Sequence, residues 1–456
     1  MNRRVFLPAA ALGALLSTAA RADVVISTDP TQNMSCSGGV CSPTDHEAIL
    51  NISELSNMLA NSNVTVTSHI FKNRYAGDID LVAPLSWTSA SKLTLTSNGR
   101  VQIEAPISVL GQGGLVITNQ AIFAKGAAVT FWDLGSLLSI TNVTYVLFAD
   151  FPALVSDIAA NPKGAYALAD DYDAAGDQFR KAPIPAFGGV LLGLGHSISN
   201  LIIPKGRKLC EGMVSTNTGS IRNIALNNVS IKLDPRSRYV GGIAGCNNGS
   251  LSAVTVSGQV VGSADSSAGG IAGSSSAGIG GARSLATVTG GQAGGIAGEN
   301  DSGINQASAG GVVNGSINTG GLAGLNNGSI DTSYATGNVT GSENNTGGLV
   351  GSNHGSISNS YAMGSVVGGP GAAGGLAGFN GGLMSFAYST GQVTGGAGYT
   401  GGFVGYDPNE GIASSYWDTD SSGISDPAQG AGLPQYRSWH HRVGDGRIEG
   451  ALAFRL

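Results

Sequence analysis

Charged side chains are scarce in this chain of 456 residues, where they make up 11% of the sequence, against about 25% in an average soluble protein. Lysine is absent from residues 241–405, and the few acidic and basic side chains of that span do not recur at a fixed interval. Without a basic patch a protein cannot displace the counterions of nucleic acid, and the formal net charge of −6 adds to this deficit. We therefore expect no nucleic-acid partner.

Long hydrophobic runs are also missing, apart from one at the N-terminus. Arg3 and Arg4 precede an uncharged stretch over residues 5–20, and the tripeptide Ala-Arg-Ala that follows has the small-x-small pattern of a cleavage site. Because the stretch is shorter than the roughly 20 apolar residues of a membrane-spanning helix, it predicts a signal peptide over residues 1–22. The mature chain is then exported, either secreted or at the cell surface, with the periplasm as a further compartment, and has no integral membrane segment.

Cysteine is rare, with four residues in the chain. Export implies an oxidising compartment, so the spacing of Cys36 and Cys41 around Ser-Gly-Gly-Val favours a disulfide that closes a small loop. Free thiols and a zinc site are the alternatives. Zinc is the weaker one, because neither pair has C-x-x-C spacing and only His46 lies nearby. Cys210 and Cys246 are 36 residues apart, and the sequence leaves their pairing open.

Glycine is abundant, at 73 residues, and its arrangement is the strongest signal in the sequence. The phrase Gly-Gly-[Ile/Leu/Phe]-[Ala/Val]-Gly recurs with intervals of 25 to 28 residues, starting at Gly241, Gly269, Gly294, Gly320, Gly347, Gly374 and Gly401. Such a period is typical of a stacked array in which one unit cannot bury its apolar face without its neighbours. We predict an all-β protein, a right-handed parallel β-helix or β-solenoid built of repeats of about 27 residues.

Stacking of these units predicts columns of equivalent side chains at the spacing of hydrogen-bonded strands, about 4.8 Å. The apolar residue of the phrase is expected to form a ladder inside the coil, made of Leu322, Leu349, Leu376 and Phe403. A second ladder contains Ile330 and Ile357, with Leu383 near the same place. A third is made of Tyr334, Tyr361, Tyr388 and Tyr416.

Asparagine also recurs at one position of the repeat, just before a turn. The residues concerned are Asn326, Asn353 and Asn380. Stacked asparagine side chains can hydrogen-bond along such a column. The pattern therefore favours a structural ladder over a metal or sugar site.

Outside the repeats the pattern changes along the chain. Short alternating runs broken by Asn, Gly and Ser predict an N-terminal β-helical segment over residues 23–150, in which only residues 47–60 have helical apolar spacing. Residues 151–240 are expected to form a connector that contains a degenerate first repeat. The repeats occupy residues 241–416. The non-repetitive residues 417–456 form either a cap over the open sheet edge or a flexible tail.

The repeat over residues 320–341, GGLAGLNNGSIDTSYATGNVTG, closely resembles the GLUG repeat of bacterial surface proteins related to filamentous haemagglutinins. Upstream, LTLTSNGRVQIEAPISVLGQGGLVIT resembles the β-helical segments of those proteins. The resemblance implies an exported β-solenoid, an adhesin or surface component that binds an extracellular ligand such as a glycan, a matrix protein or another cell. The family's shared positions are glycines and core apolar residues, so the resemblance implies no catalytic residue and no cofactor.

An enzyme acting on polysaccharides, a lyase or a glycosidase, is the alternative function, because parallel β-helices host such enzymes. Glycoside hydrolysis needs two carboxylates at a set separation. In the repeats the nearest candidates are Glu299 and Asp301 at a predicted turn, where acidic side chains commonly bond their own backbone. We therefore predict a non-catalytic structural or adhesin-like protein.

The densest acidic cluster lies in the connector and consists of Asp170, Asp171, Asp173 and Asp177. Hard cations such as calcium favour carboxylates, but the spacing lacks the Gly and the distal Glu of an EF-hand loop. His196 has no acidic or serine partner nearby in the sequence. These patterns favour a solvated turn, and we predict no metal site.

Overall fold

The computed structural model describes residues 24–69, 77–124, 126–206, 209–233, 237–395, 399–424 and 438–439. The expected signal peptide lies outside these residues. The described chain is nearly all β, with parallel strands that form about 14 solenoid turns of about 27 residues, so the predicted β-solenoid is confirmed. The described residues divide into two compact units, one within residues 1–126 together with 139–142 and one within residues 127–138 together with 143–456.

The first unit is built from short strands that pair in parallel from coil to coil. Ile79 is paired with Val101 and Leu85 with Ile107, so two of its sheets advance by the same 22 residues. The one antiparallel pair among its described strands is a hairpin formed by the second and third strands. The strands are Val24–Ser27, Met34–Ser37, Val40–Pro43, Ala48–Asn51, Val64–Thr67, Ile79–Leu81, Leu85–Trp87, Lys92–Thr96, Val101–Ile103, Ile107–Val109, Gly114–Ile117 and Ala121–Phe123.

Helix α1 (Ile52–Leu59) is shorter than the helical spacing over residues 47–60 predicted. Residues Ala48–Asn51 form a strand instead, because Ala48 and its neighbours pair in register with the first strand of the unit. The Asn51 side chain caps the helix by accepting hydrogen bonds from the backbone N–H groups of Ser53 and Glu54. Pairing of strands thus overrides the local helical pattern at Ala48–Asn51.

Three parallel sheets make up most of the second unit, and each coil from Ile184 onward contributes to all of them. Sheet A contains Ile184–Phe187, Val214–Asn217, Ala244–Asn247, Ala272–Ser275, Ala297–Asn300, Ala323–Asn326, Val350–Asn353, Ala377–Asn380 and Val404–Tyr406. Sheet B contains Val143–Phe148, Ala165–Leu168, Val190–Leu192, Ser220–Arg222, Ser250–Ser252, Ile279–Gly280, Gly303–Asn305, Ser329–Asp331, Ser356–Ser358, Leu383–Ser385 and Ile412–Ala413.

Sheet C has the most strands, because each coil of the repeats crosses it more than once. Its strands are Tyr172–Asp173, Ser197–Ser199, Ile202–Gly206, Cys210–Glu211, Ala225–Leu233, Tyr239–Gly241, Thr255–Val261, Ser267–Gly269, Arg283–Ser284, Thr287–Gly294, Ser308–Ala309, Val313–Gly320, Tyr334–Ala335, Val339–Gly341, Asn345–Gly347, Tyr361–Ala362, Val366–Val367, Ala373–Gly374, Tyr388–Ser389, Val393–Thr394, Thr400–Gly401, Tyr416–Asp418 and Ser438–Trp439. The remaining strands of the chain are Val129–Phe131 and Leu137–Ile140.

Most of the buried apolar side chains of the second unit form one continuous core. Leu322, Leu349, Leu376 and Phe403 are all fully buried. The backbone N–H of Leu322 donates to the carbonyl of Leu349 at 2.8 Å, and the same step is repeated along the column. Burying a leucine side chain stabilises a fold by about 1.5–3 kcal/mol. The glycines of the phrase let the coils approach, since a Cβ on Gly348 would overlap the carbonyl oxygen of Gly375.

Met384, rather than Leu383, continues the isoleucine ladder of sheet B. Ile330 is paired with Ile357, which is paired with Met384, and all three are buried. Leu383 is paired with Ser356 and is 68% exposed. Because successive side chains of a strand point to opposite faces, an offset of one residue places Leu383 outside the coil.

The residues predicted as a connector, 151–240, form coils of the same solenoid. The strands Ala165–Leu168, Val190–Leu192 and Ser220–Arg222 pair in parallel with one another, and the last pairs with the repeat strand Ser250–Ser252. Helix α2 (Phe151–Ala160) precedes them, and a short 3₁₀ turn covers Ala174–Gly176. The repeat phrase therefore marks only part of the array.

Trp417 closes the core after the last repeat. It is paired with Ser389 and is 1% exposed, and its indole N–H donates to the carbonyl of Ile424 at 3.1 Å. A short helix, α3 (Thr419–Ser422), follows, and Ile424 packs on a small apolar cluster around Val366. Within the described residues, no helix has both the length and the apolar character that crossing a membrane requires.

Candidate functional site

The asparagine column of sheet A forms a continuous chain of buried side-chain hydrogen bonds. The amide of Asn326 donates to Asn353 at 2.7 Å, and that of Asn353 donates to Asn380 at 2.8 Å. Asn300 donates to Asn326 in the same way, at 2.7 Å. All four side chains are fully buried. Because a buried amide is stable only when hydrogen-bonded, this column is a structural part of the interior.

The tyrosine column lies on the outer face of sheet C. Tyr334 and Tyr361 stack with ring centroids 4.9 Å apart, and Tyr361 and Tyr388 repeat the arrangement at 4.9 Å. The rings are half-buried, because the neighbouring residues, such as Ala335 and Ala362, take the interior positions. Burial, together with the flanking Tyr388 and Tyr334, raises the pKa of Tyr361 to about 12.

A second outer column runs along sheet A and changes its side chain at every coil. We call it the variable column; strand pairing places in it Cys246, Ser274, Glu299, Leu325, Ser352, Phe379 and Tyr406. In the interior columns, by contrast, the residue at a given position is apolar or asparagine in almost every coil. The chemical differences between coils are therefore concentrated on this outer face.

A column of amides runs beside the variable column, on the adjoining edge of sheet C. We call it the amide column, and pairing places in it Ser267, Gln292, Asn318 and Asn345. Asn318 donates to the side-chain oxygen of Gln292 at 3.2 Å, and Asn345 donates to that of Asn318 at 3.1 Å. This column was not predicted from the sequence, although an amide or serine residue two positions before the Gly-Gly pair recurs in these repeats.

The two outer columns are joined at several levels. A disulfide connects Cys246 to Cys210, and their Cα atoms are 5.5 Å apart. The strand of Cys210 belongs to sheet C, in line with the amide column. Further along, the Gln292 amide donates to Glu299 at 2.8 Å. At the far end Tyr399 stacks on Tyr406, with ring centroids 4.7 Å apart. These links hold the two columns in a fixed relation along the solenoid surface.

An open cavity of about 420 Å³ lies between the two columns where the variable column carries the small residue Ser352. Its lining consists of Ile317, Asn318, Asn344, Asn345, Ser352, His354, Gly371 and Phe379. The Ser352 hydroxyl lies 3.1 Å from Nε2 of His354, and the His354 and Phe379 rings are 5.4 Å apart. The cavity thus combines amides, an imidazole and an aromatic ring, with no carboxylate, lysine or arginine in its lining.

Glu299 and Asp301 each accept hydrogen bonds from other side chains. Glu299 lies within the strand Ala297–Asn300 and not at the predicted turn, and it accepts hydrogen bonds from Gln292 and from the Tyr239 hydroxyl. Burial, followed by the charge of Glu299, raises the pKa of that tyrosine. Asp301 accepts from the Asn327 amide at 2.8 Å. Both carboxylates therefore have structural partners.

The acidic cluster of the connector is divided among separate contacts. Asp171 accepts from the backbone N–H and the hydroxyl of Ser197, at 2.7 and 2.9 Å. Asp173 accepts from Asn200 at 2.7 Å, and hydrogen bonding to Asn200 lowers its pKa. Asp177 accepts from the Tyr172 hydroxyl at 3.2 Å, while burial raises the pKa of the Asp177 carboxyl. Asp171 and Asp173 thus tie one coil to the next, whereas Asp177 is bonded within its own coil.

His196 does have an acidic neighbour, which the sequence analysis missed. Its buried ring lies with Nδ1 3.8 Å from Asp171, and with Nε2 2.9 Å from the carbonyl of Val129. One ligand atom each from Asp170, Asp171 and His196 lie within 4.8 Å of one another. Asp171 and His196 are one coil apart, so the repeat interval could have revealed the contact between them. Both aspartates are exposed, and Asp171 already accepts a hydrogen bond from the backbone N–H of Ser197.

All four cysteines are paired. Cys36 and Cys41 face each other across the antiparallel hairpin of the first unit, with a Cα–Cα distance of 4.0 Å. The pairing that the sequence left open is Cys210 with Cys246. This bond joins successive coils near the start of the repeat array.

Comparison with known proteins shows similarity to a family model and to solved structures. The family model of the N-terminal region of M26 IgA1-specific metallo-endopeptidases matches residues 140–258, about a quarter of the chain. A crystal structure from Bacteroides ovatus, titled as a "putative immunoglobulin A1 protease", aligns with a TM-score of 0.37 and 18% identity over 60% of this chain and 84% of that chain. No curated protein matches the chain.

Proposed function

We propose that this chain is an exported, non-catalytic β-solenoid that presents a binding surface, built from GLUG-type repeats as in adhesin-like proteins. The observation that carries the proposal is the contrast between columns of the second unit. Inside the coil, Leu322 and Asn326 are repeated in neighbouring coils, while the variable column changes from Leu325 to Ser352 to Phe379. Such a surface can contact a ligand at several levels, so that weak single contacts add up by avidity.

The paired cysteines support export. Disulfides persist in oxidising compartments and are rare in the cytosol. Both disulfides, Cys36–Cys41 and Cys210–Cys246, join residues that the fold already brings together. Together with the N-terminal leader pattern they favour a secreted or surface protein. Fractionation of the producing cells into cytoplasm, periplasm, surface and medium tests this directly; protein confined to the cytoplasm would contradict it.

The partners of the acidic side chains support a non-catalytic role. Glu299, Asp301 and Asp171 each accept a hydrogen bond from an adjacent side chain or backbone group. A general acid and base for polysaccharide cleavage must instead flank the scissile bond at a set separation.

The function is tested by incubating the purified protein with immobilised glycans, matrix proteins and whole cells. We expect retention without turnover. Depolymerisation of a polysaccharide that is lost in Glu299→Gln or Asp170→Asn would replace the proposal with the enzymatic alternative. Absence of binding to all of these targets would also overturn it.

A second candidate follows from the match to the N-terminal region of IgA1-specific metallo-endopeptidases. That match favours a role in binding immunoglobulin A1, as a region that accompanies a peptidase would have. Surface plasmon resonance with immunoglobulin A1, and with immunoglobulin G as the control, tests it. Equal or absent binding to both immunoglobulins would exclude this candidate and leave the first one standing.

A further inference from the structure

We propose that the cavity over Ser352 binds the N-acetylhexosamine unit of a neutral glycan. The inference rests on the proposed function, in which the outer face of the solenoid is the binding surface, and names the site and the ligand class. Its volume of about 420 Å³ falls within the range of small-molecule sites, about 300–1,000 Å³. Three features of the cavity favour this ligand: the end of the amide column, the aromatic wall and the lack of charged side chains in the lining.

The amide column stops at Asn345. Each amide donates to the oxygen of the amide one coil earlier, so that Asn345 donates to Asn318 and Asn318 donates to Gln292. In the next coil this position is occupied by Ala372. Thr346 is paired with Ala373, so the residues before them, Asn345 and Ala372, lie at the same position of successive coils. Alanine has no amide to donate to the side-chain oxygen of Asn345. A ligand amide N–H can take that place and extend the column by one rung.

An aromatic wall stands opposite the amides. Phe379 lines the cavity, and its ring lies 5.4 Å from that of His354 and 5.9 Å from that of Tyr406. The faces of aromatic rings carry partial negative charge and attract the electropositive C–H groups of a pyranose. His354 and Asn344 are exposed at the rim and can hydrogen-bond to hydroxyl groups.

The charge of the site selects a neutral sugar. The lining contains no arginine or lysine to pair with the carboxylate of an acidic sugar. The nearest acidic residue in the chain, Glu343, directly precedes Asn344 and would repel such a carboxylate. The acetamido N–H can donate to the side-chain oxygen of Asn345, and the ring hydroxyls can bond to His354 and Asn344 at the rim. The apolar face of the sugar can pack on Phe379.

The test measures binding of N-acetylglucosamine oligosaccharides to the full chain by isothermal titration calorimetry, with glucose oligosaccharides and sialylated oligosaccharides as comparators. We expect millimolar affinity for the acetamido sugar, as is usual for one open subsite, and at least tenfold weaker binding of both comparators. Phe379→Ser, which copies Ser352 of the preceding coil, should lower affinity at least tenfold. Asn345→Ala, which copies Ala372, should abolish the preference for the acetamido sugar over glucose.

Asn327→Ala is the matched control, because Asn327 is exposed at the equivalent position one coil before His354 and outside the cavity. It should bind like the unmodified chain. Circular dichroism establishes that each variant is folded. If the chain binds glycans while Phe379→Ser and Asn345→Ala bind equally well, the cavity assignment is wrong and the proposed function stands. If the chain binds no glycan, matrix protein or cell, both fail. Equal affinity for glucose and acetamido sugars would overturn the acetamido assignment.

Discussion

Substitution Asn353→Ala should open the solenoid locally around its own coil. The side chain is fully buried, accepts from Asn326 at 2.7 Å and donates to Asn380 at 2.8 Å. Each lost hydrogen bond removes about 1 kcal/mol, and a buried group left without its partner costs about 1–3 kcal/mol more. Asn326 and Asn380 keep weaker contacts with nearby backbone groups, at 3.3 Å, which limits that second cost. The expected loss is therefore about 2–4 kcal/mol.

The assay is native-state hydrogen exchange, because a stacked array opens in parts and a single unfolding midpoint does not report the local change. A loss of 2–4 kcal/mol corresponds to about 30- to 1,000-fold faster exchange, since 1.4 kcal/mol is tenfold. The affected amides should be those bonded next to the substituted side chain. They include the backbone N–H of Gly381, which donates to the carbonyl of Asn353 at 2.7 Å. Coils far along the array should keep their protection.

The chain supplies its own control for this substitution. Ser275 occupies the same column, accepts from Asn247 at 2.9 Å and donates to the carbonyl of Ala277 at 2.7 Å. Asn353→Ser should therefore lose clearly less protection than Asn353→Ala. The reasoning is refuted if the alanine variant exchanges within about threefold of the unmodified chain, or if protection falls equally in every coil.

Three further predictions concern single positions. Asp407 ends the asparagine column, and burial raises the pKa of its carboxyl. The stability that the protonated carboxyl contributes is therefore present at low pH and lost as the pH rises through that pKa. Asp407→Asn should raise the melting temperature at neutral pH and flatten the pH dependence of the melting temperature. An unchanged profile would contradict this. Replacing Cys210 and Cys246 by serine opens a loop of 36 residues and should destabilise the fold by about 2–4 kcal/mol, measured by urea unfolding; a loss no larger than that from removing the short hairpin disulfide would contradict it. Spectrophotometric titration should show two tyrosines with a pKa of about 12, Tyr172 and Tyr361, and Tyr361→Phe should remove one of them; the stability that Tyr361 contributes should fall as the pH rises from about 10, the ordinary tyrosine value, through 12. A variant that keeps both high-pKa components would contradict this.

Much of the interior could be read from the repeat interval. The intervals of 25 to 28 residues place Leu322 over Leu349 and Asn326 over Asn353, and strand pairing joins these same residues. Leu383 shows the limit of that reasoning. An interval identifies a coil, but the face of a strand on which a side chain lies changes with every residue. Register at single-residue precision therefore needed the paired strands themselves.

The outer face was harder to interpret, because its columns combine residues from different parts of a coil. Gln292 and Glu299 belong to different sheets and meet only because the chain turns sharply at the Gly-Gly pair. His196 and Asp171 meet for a different reason, because they are one coil apart and successive coils stack. The repeat interval could have indicated that second contact, but nothing in the local sequence indicates the first.

By itself the sequence determined the class of fold, since glycine and apolar residues at a regular interval leave stacking as the way to bury the apolar side chains. It also identified the interior columns of Leu322 and Asn326. Only the tertiary structure decided which side chains share the outer face. It placed Asn345, Ser352 and Phe379 around one cavity and paired Cys210 with Cys246. The physical reason is that burial constrains the interior at every coil, whereas the surface is set by the path of the turns between the strands.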